Sequence, residues 1–278
     1  MYNKMFIAVS ICICLSGCTT LKINKHSFMN CEDTSGWEGM VKVNKQLKHS
    51  GDGCFELYGK YRTELLYSKL IPVDVNEEYN LSAWMRTLDE RYPASAYLGL
   101  YMYDKNKKVI NIHNVGIHPD TETTLAKDVH KGSKELHVIK NPKWTKVPYK
   151  AVAFNVESQY QDLPNYNISP QIENIIDDGE QYKVVLKTPM NEAYPAGTKV
   201  RLHFPWGMPF LYGASGWMPA EWKEFSISLK GEAQSGNVRD QFWRGTKYVR
   251  VFIWFGNWNR KPESEARLLV DDINFSLE

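Results

Sequence analysis

The chain has 278 residues, enough for one large β domain or two smaller ones around a substantial core. Aromatic residues make up 13% of it, with 16 Tyr and 9 Trp, against a formal net charge of only +2 and an isoelectric point near 8.1. That balance argues against a nucleic-acid binder, which would cluster Lys and Arg on a more basic chain, and suits a β-sandwich whose rings stack on the apolar faces of sugars.

Residues 1–18 read as a targeting signal rather than as structure. Lys4 supplies a positive n-region, Met5 to Leu15 is an apolar stretch too short to span a bilayer, and Leu15-Ser16-Gly17-Cys18 follows directly. This resembles the bacterial lipoprotein signal, whose lipobox is cleaved before the cysteine that carries the lipid, and the resemblance implies Cys18 as the acylated N-terminus. Thr19 in place of Asp disfavours inner-membrane retention by the known sorting rules. The expected location is the cell envelope, lipid-anchored in the outer membrane, with its periplasmic and outer sides both open. Residues 19–28 are short, polar and basic and read as a tether. Cys12 and Cys14 leave with the signal, so only Cys31 and Cys54 remain beside the anchor. In an exported protein such a pair forms a disulfide, stabilising by roughly 3 kcal/mol, or stays as two buried thiols.

From Asn30 onward, strands are predicted at Trp37 to Val43, Cys54 to Tyr58 and Thr63 to Ser68, separated by Gly-rich turns. In Tyr79 to Arg86, Tyr79, Leu81, Ala83 and Met85 alternate with Asn80, Ser82, Trp84 and Arg86, so one face is apolar and the other carries Trp and Arg. Tyr97 to Asp104 repeats the scheme, with Leu98, Leu100 and Met102 opposite Tyr97, Gly99, Tyr101 and Tyr103. Residues 119–203 have their own pattern, with strands predicted at Lys134 to Ile139, Ala151 to Val156, Tyr182 to Leu186 and Thr198 to Leu202. Ile172 to Ile176 is either a helical turn or a short strand. We read this stretch as a small inserted β domain, because long insertions sit in surface connections at modest entropic cost. It serves as one wall of a binding cleft or as a rigid spacer. His203 to Gly216, rich in aromatics, Gly and Pro, is predicted as a structured loop re-entering the sandwich, and Trp222 to Leu229 as a core strand. Trp243 is expected on the rim of the face formed by the strand that follows.

That strand is the most informative one. Tyr248, Arg250, Phe252 and Trp254 alternate with Val249, Val251, Ile253 and Phe255. The second set has no polar atom to satisfy and belongs to a core, while the first mixes flat rings with a planar cation, as a sugar-binding platform does. In Ala266 to Leu277, the residues Leu269, Ile273, Phe275 and Leu277 are predicted to share an apolar face with Asp271, whose carboxylate must then meet a cation or hydrogen-bond donors.

The early Trp37, the small-residue turn before Cys54-Phe55-Glu56-Leu57, the Ile71-Pro72-Val73-Asp74 approach to Tyr79, the Glu221-Trp222-Lys223-Glu224 strand and the terminal Leu268-Leu269-Val270-Asp271-Asp272 come in a telling order. Together they resemble jelly-roll carbohydrate-binding modules of the family 4/9/22 type, in the galactose-binding-domain-like superfamily. The resemblance spans roughly residues 30–104 and 213–278. It implies an all-β jelly-roll sandwich of residues 29–118 and 204–278, interrupted by the insert 119–203, with glycan bound on one sheet's concave face or along one loop edge. On neighbouring strands of such a fold, Trp84, Arg86, Tyr101, Tyr103, Arg250, Phe252 and Trp254 are the ligand-binding candidates. The two arginines point to an acidic glycan. A structural calcium often sits near the terminal strand of these modules; by position its implied ligand is Asp271, with Glu32 and Asp33 as partners. No catalytic cofactor is expected.

A catalytic alternative rests on Arg62-Thr63-Glu64-Leu65 and Asn111-Ile112-His113, which resemble two signatures of jelly-roll alginate lyases. A lyase would use Arg62, His113 and a tyrosine, Tyr248 or Tyr212. Leu66 stands where that family has a second Arg and Asn111 where it has Gln, and its tyrosine motif has no counterpart. The histidines are scattered, with no metal-binding spacing. The sequence thus reads as a non-catalytic polysaccharide-binding lipoprotein that touches the membrane only through the lipid on Cys18. A lyase or glycosidase, and an assembly lipoprotein whose aromatic face meets a protein, are the alternatives.

Overall fold

Strands form where apolar and polar side chains alternate, and eighteen of them organise the described residues. The computed structural model describes residues 26–29, 31–59, 63–91, 93–256 and 266–278, so Cys18, the signal segment and Arg62 lie outside the described residues. Eight strands precede the insert: β1 (His26–Met29), β2 (Trp37–Glu38), β3 (Lys42–Asn44), β4 (Cys54–Gly59), β5 (Thr63–Ser68), β6 (Ile71–Pro72), β7 (Glu78–Thr87) and β8 (Ser95–Tyr103). A one-turn helix, α1 (Ile112–Val115), leads into β9 (Thr123–Thr124), β10 (Glu135–Ile139), β11 (Ala151–Phe154), β12 (Ile172–Asp178), β13 (Gln181–Leu186) and β14 (Lys199–His203). The chain then returns through β15 (Phe210–Trp217), β16 (Lys223–Lys230), β17 (Tyr248–Gly256) and β18 (Ala266–Leu277).

Two six-stranded sheets face each other. The back sheet runs β16-β7-β18-β4-β3, with β1 also on β18; the front sheet runs β15-β8-β17-β5-β2, with β6 also on β17. Eight of these strands, taken in chain order as β4, β5, β7, β8, β15, β16, β17 and β18, fall into the four-strand orders 4-18-7-16 and 5-17-8-15. That arrangement of two interlocked Greek keys is a jelly roll. Between the sheets lies one core, containing Leu81, Ala83 and Met85 of β7, Leu98, Leu100 and Met102 of β8, and Val249, Val251, Ile253 and Phe255 of β17. All four β17 residues have no exposed surface, each contributing about 1.5–3 kcal/mol of burial.

The insert carries a second core. Its sheets, β10-β13-β12 and β11-β14-β9, close over Trp144, whose indole nitrogen donates to the Thr121 carbonyl at 2.7 Å, and over Phe154, stacked on Tyr194 at 4.0 Å. Ile172 to Ile176 proves to be part of a strand, β12.

Three expectations are corrected. Trp37 to Val43 is not one strand but two short ones, β2 and β3, in opposite sheets. The presumed loop His203 to Gly216 contains β15, an edge strand of the front sheet broken by a bulge between Tyr212 and Ala214. Its Gly213 is what lets it pass β16, since a Cβ there would lie 2.5 Å from that of Ile227. The apolar face of β18 is also not continuous: Leu268 and Val270 enter the core, then Ile273 and Phe275 do, while Leu269 stays outside it. A bulge between Asp271 and Asn274, with Asp272 at φ 49°, shifts the alternation by one residue.

Candidate functional site

Antiparallel register collects residues of one parity on the outward side of the front sheet. Trp254 pairs with Tyr97 and Leu65, Phe252 with Gly99 and Tyr67, Arg250 with Tyr101, and Tyr248 with Tyr103. On the far side of β8, Phe210 pairs with Tyr101 and Tyr212 with Gly99. The rings meet edge-on or tilted, with centroids 4.7 Å apart for Tyr97 and Trp254, 5.2 Å for Tyr97 and Tyr212, 4.6 Å for Phe210 and Phe252, and 5.0 Å for Tyr101 and Phe252. Pairs of this kind add about 0.5–1.5 kcal/mol each beyond their area. Gly99 makes the array possible, because a Cβ there would lie 2.0 Å from the Leu211 carbonyl oxygen and 2.7 Å from the Phe252 ring. Trp217, at the end of β15 and paired with Ser95, extends this face and is 56% exposed.

The seven residues expected to bind ligand do not converge. Tyr101, Tyr103, Arg250, Phe252 and Trp254 share the front face, but Trp84 and Arg86 stand on β7 in the back sheet. Consecutive strands of a jelly roll pass from sheet to sheet, so β7 and β8 carry similar patterns on opposite outer surfaces. Within the front set the roles also differ. Phe252 is fully buried and forms the floor, and burial pushes the phenols of Tyr101 and Tyr103 up. Arg250 is committed: its Nε donates to the Ser68 carbonyl at 2.6 Å, an Nη lies 2.7 Å from Glu38, and its guanidinium covers the Tyr67 ring at 5.1 Å. Tyr97, Tyr212 and Trp254, half-buried like Tyr101 and Tyr103, and the exposed Trp217 make up the end of the outward face around Gly99.

Beside this face opens a cleft of about 520 Å³ that the sequence did not reveal. Its walls come from four segments: Ile112 and His118 just before the insert, Pro148 and Tyr149 of the insert, the 204–212 stretch, and Asn237, Arg239 and Trp243. Tyr149 and Trp206, 67% and 64% exposed, stand at its mouth with ring centroids 6.3 Å apart. Arg239 lies over the Tyr212 ring at 5.2 Å, and it is the single charged group among the described lining residues. Trp243 is not on a rim but buried, lining the cleft, with its indole N–H unpartnered. Nε2 of His118 is likewise unpartnered, and burial lowers the pKa of that ring, against a backbone hydrogen bond at Tyr149.

The expected calcium ligands do not fit a cation. Oδ2 of Asp271 accepts the backbone N–H groups of His49 and Ser50 at 2.8 and 3.1 Å, and its Oδ1 accepts that of Asp272 at 2.9 Å. Glu32 accepts the Asp52 N–H, Asp33 accepts the Ser35 N–H, and no three acidic, His or Cys side chains among the described residues are grouped to hold a metal. Hydrogen-bond donors, the second of the two possibilities for Asp271, are what it meets. Cys31 and Cys54 are two buried thiols, each pushed up to about 12 chiefly by burial. Of the lyase candidates, His113 backs onto the insert, where its carbonyl accepts from His203 Nδ1 at 2.8 Å, whereas Tyr248 lies at the Tyr103 end of the front sheet under Lys107.

No protein-family model matches the sequence, and comparison with curated proteins finds no match. Among solved structures, the CBM22-1 xylan-binding domain from Paenibacillus barcinonensis aligns with 89% of this chain and 90% of its own at 10% identity and a TM-score of 0.35. The enzymatically active domain of bacteriophage CBA120 tailspike protein 4 aligns with 92% of this chain and 22% of its own at 7% identity and a TM-score of 0.38. For the CBM22-1 and GH10 modules of Clostridium thermocellum endo-1,4-beta-D-xylanase 10B, complexed with xylohexaose, the figures are 91%, 28%, 9% and 0.36. The chain spans less than a third of the length of these last two. At such identities and scores none of the three bears on what this chain binds, and its jelly roll rests on its own strand order.

Proposed function

We propose that the chain is a non-catalytic polysaccharide-binding lipoprotein of the bacterial envelope, with the outward face of the front sheet and the adjoining cleft as its glycan site. The observation that carries this reading is the run of outward rings, Trp254, Tyr97 and Tyr212, leading into a cleft whose mouth holds two exposed aromatics. Flat rings stack on the apolar faces of sugars at little entropic cost. The acidic character of the glycan rests on Arg239, not on the committed Arg250. A carboxylate or sulfate seated against Arg239 would find a second donor in the unpartnered indole N–H of Trp243, which costs about 1–3 kcal/mol while it stays unanswered. Anchoring through Cys18 in the outer membrane is part of the same proposal and rests on the lipobox sequence alone.

Affinity gels containing xylan, β-glucan, mannan, pectin or alginate test it, with ultraviolet absorbance followed for unsaturated products. The expected result is retardation without absorbance, lost from the pectin and alginate gels and weakened in the neutral ones in Trp254→Ala and Trp217→Ala. Arg239→Ala should release the protein from pectin and alginate only. Absorbance that rises and is removed by His113→Ala would replace this reading with the lyase.

A further inference from the structure

The outward face of the back sheet holds a second constellation, built with some care. Asp271 and Asp272 are sequence neighbours, yet the bulge at Asp272 turns both carboxylates toward one loop: Asp271 holds the His49 and Ser50 amides, while Asp272 accepts from Ser50 Oγ at 2.6 Å and meets His49 Nδ1 at 2.7 Å. A non-glycine residue at positive φ and a buried carboxylate are thus both committed to placing His49. Its ring lies flat on Trp84, centroids 4.0 Å apart and planes 14° from parallel, and edge-on to Trp222 at 5.6 Å. Arg86 covers Trp222 at 6.0 Å. From this corner a polar strip runs along β7 through Ser82 to Asn80, with Ser226 of β16 and Asn274 of β18 paired on either side of Ser82. Two atoms along it, Asn80 Oδ1 and Asn274 Oδ1, and Arg86 Nε at the corner itself, are shielded from solvent and have no hydrogen-bond partner.

We propose that this face is a second glycan site, for a neutral chain. Buried polar atoms without partners are exceptional in folded proteins and call for an explanation, which the hydroxyl groups of a bound glycan would supply here. The strip carries acceptors at one end and, about 13–20 Å along β7, a donor at the other, a span that suits a chain of sugars whose hydroxyl groups both donate and accept. An anionic chain would instead meet Glu224, exposed and paired with Trp84 across the strand, and Asp272. Because the two outward faces look away from each other, the protein would hold two glycan segments at once.

The experiment disables the front face with Trp254→Ala/Tyr212→Ala and runs that full-length variant in the xylan, β-glucan and mannan gels. Retardation by at least one of them is expected, weakened at least tenfold when Trp222→Ala or, leaving the rings in place, Asn80→Ala/Asn274→Ala is added, with thermal midpoints confirming folding. Passage through all three gels without retardation would overturn the proposal and leave water as the partner of the three atoms. Retardation that neither addition changes would overturn it as well. The front-face reading stands or falls separately, on Trp254→Ala in the pectin and alginate gels.

Discussion

A guanidinium with no exposed surface needs its donors answered, and Arg201 shows how the chain does this. Its Nη2 donates to Asp162 at 2.7 Å, its Nη1 to Glu122 at 3.3 Å and its Nε to Nε2 of His203 at 3.2 Å. Because Nε2 of His203 accepts while its Nδ1 donates to the His113 carbonyl, the imidazole is neutral; burial is the main cause that brings its pKa down to about 3. Burial alone would raise Asp162, but hydrogen bonds from Asn165 and the Glu157 amide, with the Arg201 charge, hold it below the usual carboxylate value. Arg201→Met should therefore cost about 3–5 kcal/mol in urea unfolding, since it strands a buried carboxylate. The same cluster sets an acid limit. A histidine whose folded pKa is depressed leaves the unfolded chain to take the proton first, so stability is full above pH 6.5 and falls as pH drops toward about 3. Urea midpoints across that window should decline in the parent and decline less in His203→Asn. An equal decline in both would mean that His203 is not the titrating group. Nothing in the spacing of Arg201, His203 and Asp162 marked them in advance, because their meeting depends on how β14 crosses the 157–165 loop.

At the scale of elements, alternation was enough to divide β17, and Val249, Val251, Ile253 and Phe255 all lie in the core. It failed on β18, where one bulge residue at positive φ reverses the faces, and on β15, where two glycines and a bulge disguise a strand. Bulges are set by what the strand must reach. In β18 the reason is the 47–52 loop, whose His49 and Ser50 N–H groups donate hydrogen bonds to Asp271 that an Ala could not accept. Asp271→Ala should cost roughly 3 kcal/mol and speed amide exchange at His49 and Ser50. Since those amides occupy the carboxylate, calcium and a chelator should leave the thermal midpoint of the parent unchanged. A calcium-dependent rise would show that the ligand set is different from the one seen.

At the scale of the whole molecule, the order of motifs carried the jelly roll, but local pattern could not say which sheet each strand joins. Trp84 and Tyr101 look alike in their strands, and only the strand order 4-18-7-16 against 5-17-8-15 sends them to opposite outer faces. The cleft was illegible for a related reason: Tyr149, Trp206 and Arg239 are far apart in the chain, and they meet because the insert folds around its own core and leans on the sandwich edge. Contacts there include Tyr166 to Asp104 at 3.0 Å and Arg244 to the Gln159 carbonyl at 3.2 Å. The insert is then a wall of the site or a spacer, and Tyr149 separates the two. It is mostly exposed, so Tyr149→Ala should leave the unfolding free energy within about 0.5 kcal/mol of the parent in urea. If the insert is a wall, the loss of one stacking ring weakens retention by the acidic gels about tenfold, equivalent to about 1.4 kcal/mol, and leaves the neutral gels alone. If retention by every gel is unchanged, the ligand ends at Tyr212 and the insert only spaces the front face from its surroundings.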